Sequence, residues 1–97
     1  MTIISLNNLD STEIKKGLLD MIARTIENNS WTQAYVAELL GIDQPKVSQI
    51  KNGRTNGFSL ERLLVFLKKL GHEISISIEE SQVLGSTAEK VKHEAEF

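Results

Sequence analysis

Three observations predict a compact, mainly α-helical fold for this 97-residue chain. Apolar residues recur at spacings of three and four as far as Leu70, glycine or asparagine punctuates those periodic segments at short intervals, and the helix-breaking proline occurs once. The expected architecture is a bundle of four to five helices followed by a short C-terminal β-strand that finds its pairing in a dimer. Apolar residues make up 40 % of the chain and charged residues 25 %, ordinary values for one soluble domain. Cysteine is absent, so disulfides and thiolate metal sites are excluded, and a reducing cytoplasm suits the composition. The longest apolar run is Leu63 to Leu67, too short for a bilayer, and Met1 to Ser5 lacks the basic flank and apolar core of a signal peptide. The expectation is a cytoplasmic protein without a membrane partner.

The first helix should open at Asp10 or Ser11, where Asp10 and Glu13 have capping-box spacing. Ile14, Leu18, Leu19, Ile22 and Ile26 form its apolar stripe, and Asn28-Asn29-Ser30 ends it. A short second helix runs from near Thr32 to Leu40, with Val36, Ala37 and Leu40 on one face and Gly41 as its stop. The third follows at once, capped by Asp43, with Pro45 tolerated in the first turn, Val47 and Ile50 inward, and Asn52-Gly53 at its end. After the linker Arg54-Thr55-Asn56-Gly57, Ser59 caps a fourth helix, and Phe58 is placed to staple onto Leu63. Leu60, Leu63, Leu64, Leu67 and Leu70 make its buried face, closed by Gly71.

From His72 to Glu79 the period changes to two. Ile74, Ile76 and Ile78 alternate with Glu73, Ser75, Ser77 and Glu79, the pattern of a half-buried strand. A lone strand leaves its N–H and C=O groups unpaired, so a partner is needed. The candidates are Thr2 to Leu6 and the same strand of a second copy. Homodimerisation through Ile74, Ile76 and Ile78 is the preferred solution, with packing on its own domain as the alternative. The domain plan is therefore an N-terminal arm or short strand (1–9), a body (10–79) ending in the dimerising strand (72–79), and a flexible acidic tail (80–97).

Charge is uneven along the chain. The net charge is -2, yet residues 44–60 hold Lys46, Lys51 and Arg54 with no acid, while residues 79–97 hold five glutamates against Lys90 and Lys92. The stretch Gln33 to Asn52 meets the constraints of two short helices crossing closely. Ala37 is small at the crossing, Gly41 supplies the turn, and Val36, Leu40, Ile42, Val47 and Ile50 fill the angle. These residues specify a helix-turn-helix.

At this point TQAYVAELLGIDQPKVSQIKNG resembles the Xre/Cro-type helix-turn-helix repressors. GFSLERLLVFLKKLGHEISISI is similar to the HigA-type antitoxin branch, in which an alternating strand follows the last helix. The resemblance covers residues 13–79 and implies a repressor of transcription that autoregulates its operon and neutralises a toxin. It also implies that Gln33, opening the second helix, bonds a DNA phosphate, with Thr32 at the same helix N-terminus. In such a motif the third helix enters the major groove N-terminus first. Gln44 and Gln49, five apart and read as sharing nearly one face, with Lys46 and Ser48 beside them, are then the base-contacting candidates; Pro45 can touch a thymine methyl. Lys51, Asn52, Arg54 and Asn56 lie where the DNA backbone should pass.

One recognition helix binds weakly, so the expected partner is double-stranded DNA with a palindromic operator, read by a homodimer. Catalysis is not expected, because His72 and His93 stand alone and no catalytic set, metal spacing or phosphate loop occurs. No cofactor or metal is expected. His72 reads as a helix C-terminal cation or surface residue and Trp31 as a packing residue. The alternatives kept open are a free-standing Xre-type regulator without a toxin, and a protein-binding adaptor. The acidic tail 80–97 or the arm Met1 to Leu9 would be the segment that receives a basic toxin.

Overall fold

The computed structural model describes residues 2–6 and 11–80. Among these there are four helices: α1 (Ser11–Asn28), α2 (Gln33–Leu40), α3 (Gln44–Lys51) and α4 (Leu60–Lys69). The periodic stripes define them as expected. Ile14, Leu18, Leu19, Ile22 and Ile26 of α1 are all buried, and α1 packs on both α3 and α4 while α2 packs chiefly on α3. Asp10 and its capping box lie outside the described residues.

The helix starts follow local chemistry. Thr32 accepts from the Tyr35 N–H at 3.1 Å, Asp43 from Lys46 at 2.9 Å and Ser59 from Arg62 at 3.1 Å. Each such cap contributes about 0.5–2 kcal/mol. The helix ends share one device. In α2 the Gly41 N–H donates to Glu38 and the Ile42 N–H to Ala37, a pair of bonds that turns the chain through a left-handed residue. Gly53 ends α3 and Gly71 ends α4 in the same way. α1 has the same two bonds, Ser30 to Glu27 and Trp31 to Ile26, but Ser30 holds the left-handed position at φ 55°. A side chain there is strained. Ser30→Gly is therefore expected to stabilise the protein by about 0.5–1 kcal/mol, after the extra entropy of an unfolded glycine is subtracted. Thermal unfolding should show a midpoint raised by a few degrees, and an unchanged midpoint would contradict the strain.

The structure corrects the buried face of α4 and any strand pairing of residues 72–79 within one chain. The buried face of α4 comprises Leu63, Phe66, Leu67 and Leu70, while Leu60 and Leu64 are only half-buried. Phe58 is buried in the same core as Leu63, and its ring also meets Phe66 edge to face at 6.1 Å. Residues 72–79 form no strand within the single chain: Ile74 packs half-buried on the core, whereas Ile76 and Ile78 are 62 % and 91 % exposed. The arm residues Thr2 to Leu6 make no ladder with them. Alternation prescribes a strand's two faces but cannot supply the neighbouring backbone that a ladder requires. No fifth helix occurs among the described residues, and residues 81–97 of the acidic tail lie outside them.

Two features tie the arm and the exit of α4 to α1. Ile4 of the arm packs over Gly17, its Cδ1 only 3.4 Å from where a β-carbon would stand. His72 is half-buried, not a free surface residue. Its Nε2 lies 2.8 Å from the Thr25 hydroxyl, which donates its own proton to the Met21 carbonyl at 2.8 Å. With that proton committed, Nε2–H must be the donor to Thr25. The arm and His72 thus line one groove on α1, alongside Met21 and Arg24.

Candidate nucleic-acid interface

α2, the Gly41 turn and α3 form the helix-turn-helix that the sequence specifies. Val36, Leu40, Val47 and Ile50 are buried in the angle, Ala37 is buried at the crossing and Ile42 is half-buried beside it. With Val47 and Ile50 fixed inward, the outward arc of α3 is also fixed. At about 100° per residue, it runs from Gln44 through Ser48, Asn52 and Pro45 to Gln49. Gln44, Pro45 and Asn52 are exposed, while Ser48 and Gln49 are half-buried.

This arrangement corrects one point of geometry. Residues five apart on a helix differ by about 140°. Gln44 and Gln49 therefore stand at opposite edges of the outward arc, with Ser48 and Pro45 between them, and do not share a face. Lys46 lies off this arc altogether. It is half-buried on the flank that faces α4, and its Nζ stands 6.0 Å from the centre of the Phe58 ring.

Of the expected backbone contacts, Thr32, Lys51, Asn52, Arg54 and Asn56 are exposed and Gln33 is half-buried at the first position of α2. Thr32 caps α2 by accepting at its hydroxyl oxygen, which leaves the O–H proton available as a donor. The Arg54 N–H is bound to the Gln49 carbonyl at 3.0 Å, which anchors the guanidinium stem immediately beyond α3. No ion pair with a described residue neutralises Lys51 or Arg54. Among the described residues, the ion pairs are Glu13–Lys16 and Asp20–Arg24, both exposed on α1.

The sequence reading missed one cation. Arg62, in the first turn of α4, is half-buried with its Cζ 5.9 Å from the Phe58 ring and 5.4 Å from the Phe66 ring. The signal was available: Ser59 as N-cap puts Arg62 in the first turn, directly after Phe58. Trp31 is half-buried and packs against exposed Tyr35 at 5.6 Å, consistent with a packing role. Among the described residues, no helix is long and apolar enough to cross a membrane.

The helix-turn-helix domain family matches residues 4–79, from the arm to the end of the alternating segment. A solved structure carrying the name of an XRE family transcriptional regulator is similar, with a TM-score of 0.72 and 33 % identity. That match covers 77 % of this chain and 84 % of the other. No curated protein matches the chain. The crossing helices, the Gly41 turn and these two matches agree, and the chain belongs to the XRE-type helix-turn-helix family of transcriptional regulators.

Proposed function

We propose that this protein is a sequence-specific DNA-binding repressor that acts as a homodimer on a palindromic operator. One observation carries the reading: the outward arc of α3 is polar but for Pro45 and free of acids, and exposed Lys51 and Arg54 follow it without ion-pair partners among the described residues. Gln44, Ser48 and Gln49 offer hydrogen bonds to base edges and Pro45 an apolar contact, while Lys51, Asn52, Arg54, Asn56, Gln33 and Thr32 hold the flanking phosphates. The two half-sites would lie about 34 Å apart. The exposed Ile76 and Ile78, on a segment whose start shares a groove with the arm, support pairing of two copies through residues 74–78. No catalytic, metal or cofactor role enters this reading.

Footprinting on the DNA upstream of its own gene tests it, with two protected half-sites expected; no protection over random DNA would refute it. Lys51→Ala and Arg54→Ala should each weaken binding to every sequence and lower the slope of log affinity against log salt by about 0.9. A loss confined to one sequence, with the slope intact, would remove these residues from the phosphate contacts.

The finer reading is that of an antitoxin. It is supported by the likeness of GFSLERL and the following residues to the HigA-type branch, and by an excess of glutamate over lysine in residues 79–97 suited to a basic toxin. A small basic protein encoded by the neighbouring reading frame, retained by the full chain and lost when residues 80–97 are removed, is the expected result. Absence of such a neighbour would favour a free-standing regulator.

A further inference from the structure

We propose that Arg62 and Lys46 form a second phosphate-binding pair, which grips the DNA strand along the α4 flank of the recognition helix. The proposal rests on the DNA-binding reading above and changes the role of Lys46 from base reader to backbone contact.

The geometry separates Lys46 from the base-reading residues. It projects about 100° from Pro45 around α3, toward α4, with its ammonium held over Phe58 at 6.0 Å. Arg62 approaches the same ring from α4 at 5.9 Å and also meets Phe66 at 5.4 Å. The two rings are edge to face and buried, so their positions are fixed by the core. A guanidinium against an aromatic ring keeps its N–H donors free, in the fork geometry that suits a phosphate. One buried ring thus brings together cations from two helices and presets both.

Among the described residues, neither Lys46 nor Arg62 joins an ion pair, and no acid occurs from Gln44 to Leu60. Glu61, the adjacent carboxylate, is exposed and likewise has no ion pair. Both cations lie about 6 Å from one ring centre with no ion-pair partner among the described residues, which leaves their charge available to an anion from outside. A DNA phosphate beside the recognition helix is the anion that this position would meet.

The test is a salt titration of the full-length protein with operator DNA and with random duplex of equal length. Arg62→Gln and Lys46→Gln should each lower the salt slope by about 0.9 and weaken binding to both duplexes by about tenfold, leaving their affinity ratio unchanged. Arg62→Lys should keep the slope. Thermal unfolding shows whether each variant is folded; should Arg62→Gln fail to fold, Lys46→Gln decides. A folded variant with the wild-type slope overturns the pair, and so does a Lys46→Gln variant that loses operator alone, since that marks a base reader. If the wild-type protein binds neither duplex, the DNA-binding reading itself fails, an outcome distinct from either.

Discussion

Replacing Ile76 by Lys is expected to give a folded monomer that no longer holds its operator. Ile76 and Ile78 are 62 % and 91 % exposed in the single chain, and the segment that bears them has no backbone partner among the described residues. Burying such a side chain contributes about 1.5–3 kcal/mol, and a two-fold dimer buries both in each copy. A lysine at this exposed position costs the isolated chain little, within about 0.5 kcal/mol. In the dimer it would put two like charges into an apolar seam. The monomer retains one recognition helix, so binding should fall toward the non-specific level, a loss of about a thousandfold or more. Sedimentation and gel-shift measurements on the same sample should show both losses together. A dimer that survives the substitution would place the interface elsewhere.

The second large effect concerns the core. Ile22 is completely buried on α1, the helix that packs on both α3 and α4. Ile22→Ala should cost about 2–5 kcal/mol through lost burial and an unfilled cavity. Against a total of about 5–10 kcal/mol for a domain of this size, that is a large fraction. The thermal midpoint should drop by roughly 10–30 °C, measured by circular dichroism. A drop of a degree or two would mean that the site collapses around the alanine. Operator affinity measured well below the new midpoint should be unchanged, because Ile22 lies on none of the surfaces assigned to DNA.

What the sequence disclosed follows the range of each interaction. The starts of α2, α3 and α4 were legible because Thr32, Asp43 and Ser59 act on amides three residues away. The Gly41 turn was legible because its requirement is local backbone geometry. The burial of Phe66 in preference to Leu64 was not, because it depends on how α4 is rotated against α1, which no short window contains. The direction of Lys46 was not legible for a related reason: it is set by Val47 and Ile50 pointing inward and by Phe58 arriving from a different segment. The alternation of Ile74, Ile76 and Ile78 was plain, but a ladder needs a second strand, and only Ile74 finds cover within one chain. In the interface itself, the acid-free run could be read by inspection, whereas the placing of Gln44 and Gln49 at its two edges needed the helix to be turned residue by residue.

The bond between His72 and Thr25 has a mechanical consequence. It clamps the exit of α4 to α1 at the point where residues 72–79 leave the body. In a dimer joined beyond that point, each body is a lever pivoting where the two-fold axis passes between the copies. With half-sites about 34 Å apart, each recognition helix sits ~17 Å from the two-fold axis, so a swing of about 10° displaces it by roughly 3 Å, close to the rise of one base pair. A single imidazole–hydroxyl contact would therefore act as the gauge block of the assembly, setting how strictly the operator's spacer length is enforced.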